Sequence, residues 1–251
     1  MPQVLLITSG IFHPSLPGRL ALRRDLAATP GVRLRHARSI EALAQTNLAA
    51  LDAVVLYYHR QTISPRALDA LDRFVRRGGG ILAVHSATAS FKQSSRYFDI
   101  LGGRFIGHPP VGQLEIRPAV SADEIFGPIP PFVVTDEAYR HELRDIRVHF
   151  VARSADRRPL TGDRGVIARP VVGAEAIPSM ELDCFVAQRA PGNDYAPDAA
   201  VPFVWTRQHG AGRVCYVAAG HCAGSLRHPS IVHILQVGLA WVCRSEGEAV
   251  S

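Results

Sequence analysis

Short apolar runs alternate with amphipathic segments through the first hundred residues of the chain. The segments with the pattern of a strand are 4–7, 32–37, 53–58 and 81–84. Between them, apolar residues recur at helical spacing near 19–28 and from Pro65 to Gly78, where Ser64 is placed to cap the helix. Because strands that alternate with helices form right-handed crossovers, this half of the chain predicts a parallel sheet covered by helices.

The later half of the chain has a weaker pattern. Strands are predicted at 113–120, 147–152 and 213–218, and an apolar stripe predicts a closing helix at about 229–243. Residues 154–200 are rich in proline, glycine, aspartate and arginine, which predicts an irregular insertion. Since 251 residues suit one large domain, we expect a single α/β domain over 1–251 that includes this insertion.

The stretch at 78–86, GGGILAVHS, is the centre of this pattern. It leads from a glycine turn through a buried strand to His85 and Ser86. In open α/β sheets ligands bind beyond the carboxyl ends of the strands, and a polar residue on a sharp strand-to-helix turn projects into that crevice. We therefore predict a functional role for His85, with a structural histidine that closes the strand as the alternative. We also expect at least one glycine of 78–80 to have a positive φ or to lie at a close helix–strand approach.

The net charge of +6 comes almost entirely from arginine, since Lys92 is the only lysine. The densest group of arginines lies on the polar face of a predicted helix and comprises Arg66, Arg73, Arg76 and Arg77. Because there is no basic tail and no series of aromatic residues interleaved with the basic ones, we expect no nucleic-acid partner. We expect no membrane association either, since no segment approaches the about 20 apolar residues of a membrane span. The amino terminus lacks the pattern of a signal peptide, so the expected location is the cytoplasm. A homo-oligomer stays among the alternatives.

Four segments, taken in order, carry a resemblance to a known family. They are GGGILAVHSAT at 78–88, LGGRFIGHP at 101–109, FVVTDEAY at 132–139 and FVWTRQHGAGRVCYVAAGH at 203–221. Together they resemble the ThuA-like (trehalose utilisation) family, within the class I glutamine amidotransferase-like superfamily. The resemblance implies a flavodoxin-like three-layer sandwich with a mostly parallel sheet. It also implies that the partner of this protein is a carbohydrate-like small molecule.

The turn after the central strand separates this chain from true glutamine amidotransferases. In those enzymes the turn carries the nucleophilic cysteine, whereas here the position is occupied by His85. A thiolate is needed to form the glutamyl thioester, and imidazole is a poor substitute in that step. We therefore expect no glutaminase activity. Cys222 follows a different strand and does not restore the missing nucleophile.

Several polar residues follow predicted strands or lie in loops that reach the same edge of the sheet. We predict catalytic roles for His85, His221, Glu137 and Tyr139, and substrate binding by His13, Ser86, His108 and Asp136. Structural roles are the alternatives for some of them: an exposed loop position for His13, a loop role for His108 and a helix cap over 137–139 for Asp136. We assign ordinary surface or helix positions, without a role, to His36, His149, His209, His228 and His233.

These residue types suit two kinds of chemistry. Imidazoles with a carboxylate bind divalent metals, so a metal such as zinc is a candidate cofactor, with His85 and His221 as candidate ligands. The same groups suit metal-free proton transfer on a sugar hydroxyl or next to a keto group, because histidine titrates near neutral pH. The spacing favours neither, since the chain has no HExxH or similar local motif.

Three hypotheses on function follow. The first is an enzyme that moves protons on a sugar or keto-sugar in a histidine-lined pocket. The second is a non-catalytic ligand-binding or regulatory module that keeps the amidotransferase-like fold. The third is an amidase or peptidase with Ser86 or Cys222 as its nucleophile. It ranks last because neighbours on a sharp turn, such as His85 and Ser86, point apart.

Overall fold

A computed structural model describes residues 1–10, 14–155, 185–189 and 199–243, with 185–189 described by their backbone alone. The strands of this part of the chain are β1 (Gln3–Ser9), β2 (Arg33–Ala37), β3 (Ala53–Tyr58), β4 (Gly80–Val84), β5 (Gly103–Gly107), β6 (Gly112–Pro118), β7 (Phe132–Asp136), β8 (Arg140–Ser154), β9 (Phe185–Arg189), β10 (Val201–His209) and β11 (Gly212–Val217). The α-helices are α1 (Leu16–Ala27), α2 (Pro65–Arg76), α3 (Ser95–Leu101), α4 (Asp123–Phe126), α5 (Ala223–Leu226) and α6 (Pro229–Cys243). None of these helices has both the length and the apolar character needed to span a bilayer.

The strands form one sheet that is parallel at one end and antiparallel at the other. Their order is β2-β1-β3-β4-β11-β10-β8-β6-β7, and β5 and β9 also pair with β8. The five strands from β2 to β11 are parallel. In register, Ile81 of β4 lies between Val54 of β3 and Val214 of β11. The flavodoxin-like α/β prediction is confirmed, and β4 has a parallel neighbour on each side.

Helices cover both faces of the parallel strands. Helix α6 packs against β4 and β11 beside α1, and Gly238 of α6 lies against Cys215 of β11. Helix α2 packs against β11 together with α3, and Gly212 of β11 lies against Val75 of α2. Because positions 212 and 215 of a strand point to opposite faces, the two helix pairs form the outer layers of a three-layer sandwich.

Helix α2 begins and faces the sheet as its sequence predicts. The Ser64 side chain accepts a hydrogen bond from the Ala67 backbone N–H at 3.1 Å. Pro65 lies in the first turn, where backbone N–H groups have no partner within the helix, so the N–H that proline lacks is not needed. Leu71 and Val75 are buried on the inner face. The arginines of the outer face are all exposed: Arg66, Arg73, Arg76 and Arg77. This arginine group is a solvated helix face.

The glycine turn before β4 is sterically demanding, as predicted. Gly78 has a φ of +108°. A Cβ on Gly80 would lie 2.2 Å from the Val242 carbonyl oxygen of α6. Only glycine allows α6 to approach the sheet so closely at this point. The close approach fixes β4 and, with it, the position of His85 at the other end of the strand.

Some sequence interpretations are wrong. The strand predicted at 147–152 is the end of β8, which is 15 residues long because it pairs with four other strands along its length. Residues 137–139, directly after Asp136, form no helix, and β8 begins at Arg140. His149 and His209 are buried rather than at surface positions. Most of the predicted insertion at 154–200, namely 156–184 and 190–198, lies outside the described residues.

Candidate functional site

His85 lies at the carboxyl end of β4 in a strained conformation. It is the first residue of a 3-10 turn, His85–Ala87, and its φ is +45°, in the left-handed region that side chains rarely adopt. The ring is fully buried. Its Nδ1 donates a hydrogen bond to the Ala218 carbonyl oxygen at 2.8 Å. Because a carbonyl oxygen only accepts, this bond places a hydrogen on Nδ1, while Nε2 faces Glu137.

Glu137 brings three histidines together. Its Oε2 lies 3.4 Å from Nε2 of His85. Its Oε1 lies 3.0 Å from Nδ1 of His221 and 3.6 Å from Nδ1 of His108. The side chains of His85, Glu137 and His221 are 0%, 6% and 27% exposed. His221 is therefore the member of this trio that reaches solvent, and Glu137 is held beneath it.

Asp136 holds the turn that carries His221. Its carboxylate accepts hydrogen bonds from the backbone N–H groups of Glu137, Gly220 and His221 at 2.7, 2.9 and 3.2 Å. The side chain is fully buried. Hydrogen bonds to an ionised group are stronger than neutral ones, so this carboxylate joins the end of β7 firmly to the segment after β11. The alternative of a helix cap over 137–139 is wrong, because Asp136 instead accepts hydrogen bonds from the backbone of this turn.

Gly220 allows the turn to lie directly against His85. Its φ is +146°, and a Cβ there would lie 2.7 Å from Cβ of His85. The Tyr57 hydroxyl donates to the Gly220 carbonyl oxygen at 2.5 Å. The absence of a side chain at this position is what lets His221 reach the same carboxylate as His85.

Aromatic rings form one wall of the site. The Tyr139 ring stacks on the His85 ring, with centroids 4.2 Å apart and an angle of 30°. Phe105 packs against Tyr139 at 4.4 Å, and the His108 ring lies 5.7 Å from Tyr139. Burial raises the pKa of Tyr139 well above its usual value, so this phenol keeps its proton.

The charges of Glu137 and His221 stabilise each other. Burial alone would raise the pKa of Glu137, but hydrogen bonds with His221 and then His85 outweigh it and hold the pKa well below its usual range. The hydrogen bond to Glu137 in turn raises the pKa of His221. Both shifts favour a carboxylate facing an imidazolium, which is an arrangement suited to acid–base work.

His141 is a residue of this region that the sequence analysis missed. The Thr88 hydroxyl lies 3.0 Å from its Nε2 and 3.2 Å from the His85 carbonyl oxygen. Burial lowers the pKa of His141 to about 3, so the ring is neutral. His141 is the second residue of β8, and Tyr139 lies just before this strand. An alternation of two residues counted back from His141 reaches Tyr139, so this spacing would have pointed to His141.

Nearly the whole chain corresponds to one known family. The sequence matches the ThuA family model, described as trehalose utilisation, over residues 3–242. The chain belongs to the ThuA family. No curated protein matches this ThuA sequence.

Crystal structures of other proteins share the fold of this ThuA family member. A ThuA-like protein from Parabacteroides merdae has 14% identity and a TM-score of 0.69, with 99% of this chain and 93% of that chain covered. A ThuA-like protein from Bacteroides uniformis has 15% identity and a TM-score of 0.67, with 96% and 91% covered. A β-galactosidase from Rahnella sp. R3 has 12% identity and a TM-score of 0.58, and the match covers 98% of this chain but 32% of the enzyme. At these identities the likeness concerns the fold alone.

The structure of this ThuA protein brings most of the predicted site residues to one place. His85, His221, Glu137, Tyr139 and His108 contact one another, and Asp136 lies beside them. The His108 ring also donates from Nδ1 to the Pro109 carbonyl oxygen at 2.8 Å. Ser86 is buried, and its Oγ makes no hydrogen bond with any described residue. His13 lies outside the described residues. The catalytic and substrate-binding roles stay predictions.

Three side chains of the ThuA site have the arrangement of a metal centre. One ligand atom each from His85, Glu137 and His221 lies within 4.8 Å of the others. Two imidazoles and a carboxylate suit zinc and related divalent ions, and leave positions for water or substrate. The bond from Nδ1 of His85 to the Ala218 carbonyl oxygen is the kind that orients a metal-binding histidine through its other nitrogen.

A second concave region lies at the opposite edge of the sheet. A cavity of about 900 Å³ opens at the amino ends of β3, β4 and β11, with Asp52, Gly79 and Ala211 among its lining residues. It shares no residue with the histidine cluster. Ligands of parallel sheets bind at the carboxyl ends of the strands, whereas this cavity lies at the amino ends. The candidate functional region is therefore the histidine cluster and not the cavity.

Proposed function

We propose that this ThuA family member is an enzyme that moves a proton on a sugar or keto-sugar at the cluster formed by His85, Glu137 and His221. The family's description as trehalose utilisation supports a carbohydrate as ligand. The observation that carries the proposal is the single carboxylate of Glu137, which lies 3.0 Å from one imidazole and 3.4 Å from the other. The absence of a cysteine at position 85 supports chemistry other than glutamine hydrolysis.

In the metal-free form, His221 is the group that exchanges the proton. It is the most exposed of the three side chains, and its Nδ1 faces Glu137. We assign its Nε2 to the substrate, because the carboxylate on Nδ1 sets the orientation of the ring and stabilises the imidazolium that forms when Nε2 takes up a proton. The carboxylate of Glu137 stays ionised and does not exchange the proton itself.

A specific distance favours a second form of the same function, with a divalent cation bound. Nε2 of His85 and Oε2 of Glu137 face each other at 3.4 Å. Charge-assisted hydrogen bonds are shorter, at about 2.7–2.9 Å. Ligand atoms about 2.1 Å from a tetrahedral metal are about 3.4 Å apart. A bound cation would polarise the carbonyl or hydroxyl oxygen of the sugar.

Isotope exchange tests the proposed function whatever the product of the reaction is. The purified protein is incubated in D₂O with glucose and with fructose, and deuterium in the recovered sugar is measured by mass spectrometry. We expect enzyme-dependent incorporation at carbons next to the carbonyl group. Glu137→Gln should lower the rate by about 10²–10⁴-fold, the usual contribution of acid–base catalysis. Arg66→Gln, on the exposed face of α2, is the matched control and should keep the wild-type rate.

The same samples distinguish the two forms and the non-catalytic alternative. Metal content is measured by mass spectrometry before and after chelation, and one bound ion per chain that is lost in Glu137→Gln supports the cation-bound form. Exchange that persists after chelation supports the metal-free form. Saturable sugar binding by calorimetry, with no deuterium incorporated in either state, would contradict the proposal and favour a ligand-binding module.

A further inference from the structure

A second strained residue lies a few positions after His85. Phe91 has a φ of +51°, which is an outlier for a bulky side chain. Its ring is buried against Tyr58 and Tyr97, with centroids 5.8 and 4.9 Å away. Strained backbone persists only where the surroundings hold it in place, and it clusters at functional sites. The backbone from His85 to Phe91 is therefore fixed at both ends. Lys92 directly follows this segment.

Lys92 points to the aromatic wall of the histidine cluster. Its Nζ lies 4.5 Å from the centre of the Phe105 ring, and Phe105 in turn packs on Tyr139. The Lys92 carbonyl oxygen accepts a hydrogen bond from Arg104 at 3.4 Å, which ties its backbone to β5. The side chain is partly exposed. The contact with Phe105 and the hydrogen bond from Arg104 thus hold the Lys92 ammonium beside the histidine cluster.

Two further basic residues lie beside Lys92 at the end of β3. His59 and Arg60 follow this strand, and the Arg60 carbonyl oxygen accepts from the Phe91 backbone N–H at 2.9 Å. The pKa of His59 is lowered, first by burial and then by the charge of Lys92. Smaller effects on the same pKa come from His85 and Arg60. These four side chains therefore lie within electrostatic reach of one another.

The charges of this group are not neutralised by the described part of the protein. Lys92 and Arg60 form no salt bridge with any described residue, whereas the nearby Arg104 is paired with Glu142. Burial lowers the pKa of Lys92, so its ammonium is less favourable here than in water. Like charges held close together create a field that attracts an anion, and a bound anion offsets their repulsion and part of the cost of desolvation.

We propose that Lys92, Arg60 and His59 form an anion subsite beside the histidine cluster, so that the carbohydrate bound there carries a phosphate or carboxylate group. The inference rests on the proposed function and narrows its substrate class. Lysine acts at such a site as a point charge for phosphate or carboxylate, and the guanidinium of Arg60 adds donors. The sugar ring then lies beside His221, while its anionic substituent lies toward Lys92.

The single lysine makes the subsite directly observable. Reductive methylation with ¹³C-formaldehyde keeps the positive charge and gives one lysine signal in the NMR spectrum, which Lys92→Met removes and so assigns. The chelated protein is titrated with glucose, glucose 6-phosphate, glucuronate and inorganic phosphate. We expect a saturable shift of the Lys92 signal with the phosphorylated sugar or the sugar acid. At equal concentration, glucose should leave the signal in place, and inorganic phosphate should bind at least about 10-fold more weakly, or about 1.4 kcal/mol.

Affinities of two variants complete the test. Lys92→Met should weaken binding of the anionic sugar by about 10-fold, or about 1.4 kcal/mol, while the control Arg66→Met leaves it unchanged. An unshifted signal with every anion, or equal affinity of glucose and its anionic forms, would overturn the subsite. Equal affinity of inorganic phosphate and glucose 6-phosphate would overturn the assignment to a carbohydrate. In each case the isotope-exchange experiment with glucose and fructose gives its own result. The proposed function is therefore tested separately from the anion subsite.

Discussion

At the scale of residues, the positions of His85 and Gly220 depend on each other. The backbone of His85 is in the left-handed region, and Gly220 has a positive φ. A Cβ on residue 220 would lie only 2.7 Å from Cβ of His85. Asp136 then fixes the N–H groups of Gly220 and His221. The geometry of the cluster is therefore set by backbone contacts around it as much as by its own side chains.

The first prediction concerns Gly220→Ala. The added methyl group must move His85, so the variant should lose about 1–3 kcal/mol of unfolding free energy, the usual size of backbone strain at such a site. It should also lose most of the isotope exchange, measured beside urea unfolding. Gly31→Ala is the matched control, because Gly31 has a φ of +74° with open space where a Cβ would lie. It should lose stability and keep the exchange rate. Equal exchange in both variants would show that the approach to His85 is unimportant.

The second prediction concerns pH and His149, which is buried away from the candidate site. Its Nε2 lies 2.7 Å from the Thr206 hydroxyl, and burial lowers its pKa to about 4. The unfolded chain has a histidine pKa of about 6.5. Between these values the unfolded state binds more protons, so the stability that neutral His149 contributes is complete above pH 6.5 and is lost as pH falls toward 4.

His149→Gln isolates this contribution. Urea unfolding at several pH values should give a wild-type free energy that falls by up to about 1.4 kcal/mol per pH unit through His149 in this window. The variant should have a smaller slope, because its side chain does not titrate. His36→Gln is the comparison: the pKa of His36 is also lowered, first by burial, but the side chain is exposed, so this variant should change the slope less than His149→Gln. Parallel slopes in wild type and His149→Gln would contradict the burial argument.

At the scale of elements, α2 is joined to two distant segments by one carboxylate. Asp72 is buried, and its Oδ1 lies 2.7 Å from Nε2 of His209, at the end of β10. Its Oδ2 accepts from Arg96 of α3 at 2.8 Å. Hydrogen bonds from these two groups hold the pKa of Asp72 below its usual value against the opposing effect of burial. Asp72 therefore connects α2 with both the end of β10 and the neighbouring helix α3.

The third prediction follows from this connection. Asp72→Asn keeps the size of the side chain but removes its charge, and should lower the unfolding free energy by about 1.5–3 kcal/mol, as for other hydrogen bonds to charged groups. Asp69→Asn is the control, since Asp69 also pairs with Arg96 but is half-exposed, and exposed ion pairs contribute about 0–1 kcal/mol. Chemical unfolding of both variants checks the difference. Losses of equal size would mean that the buried bond to His209 is not the important one.

The elements also explain which parts could be predicted from sequence. Short apolar runs locate β3 and β4, and a strand that ends in a polar residue indicates His85, because this information is local. β8 could not be delimited, since its 15 residues follow from pairing with strands far apart in the chain. The role of Asp136 could not be predicted either, because its hydrogen-bond partner Gly220 is 84 residues away in the chain. Composition alone indicates the predicted insertion at 154–200.

At the scale of the whole molecule, the two halves of the sheet contribute different parts of the site. The parallel half supplies His85 after β4 and His221 after β11, and the antiparallel half supplies Glu137 and Tyr139 between β7 and β8. The fold is shared with proteins of low identity, so it does not decide the reaction. The reaction has to be argued from the side chains that the two halves bring together.

The most direct test of the central claim is a double-mutant cycle on the isotope-exchange rate with Glu137→Gln, His221→Asn and the double variant. Residues that act as one unit lose the same activity singly and together. We predict that each single variant loses about 10²–10⁴-fold and that the second substitution adds little. Folding of all four proteins is checked by urea unfolding. Multiplied losses in the double variant, or wild-type exchange in either single variant, would contradict the account of one cluster built on the carboxylate of Glu137.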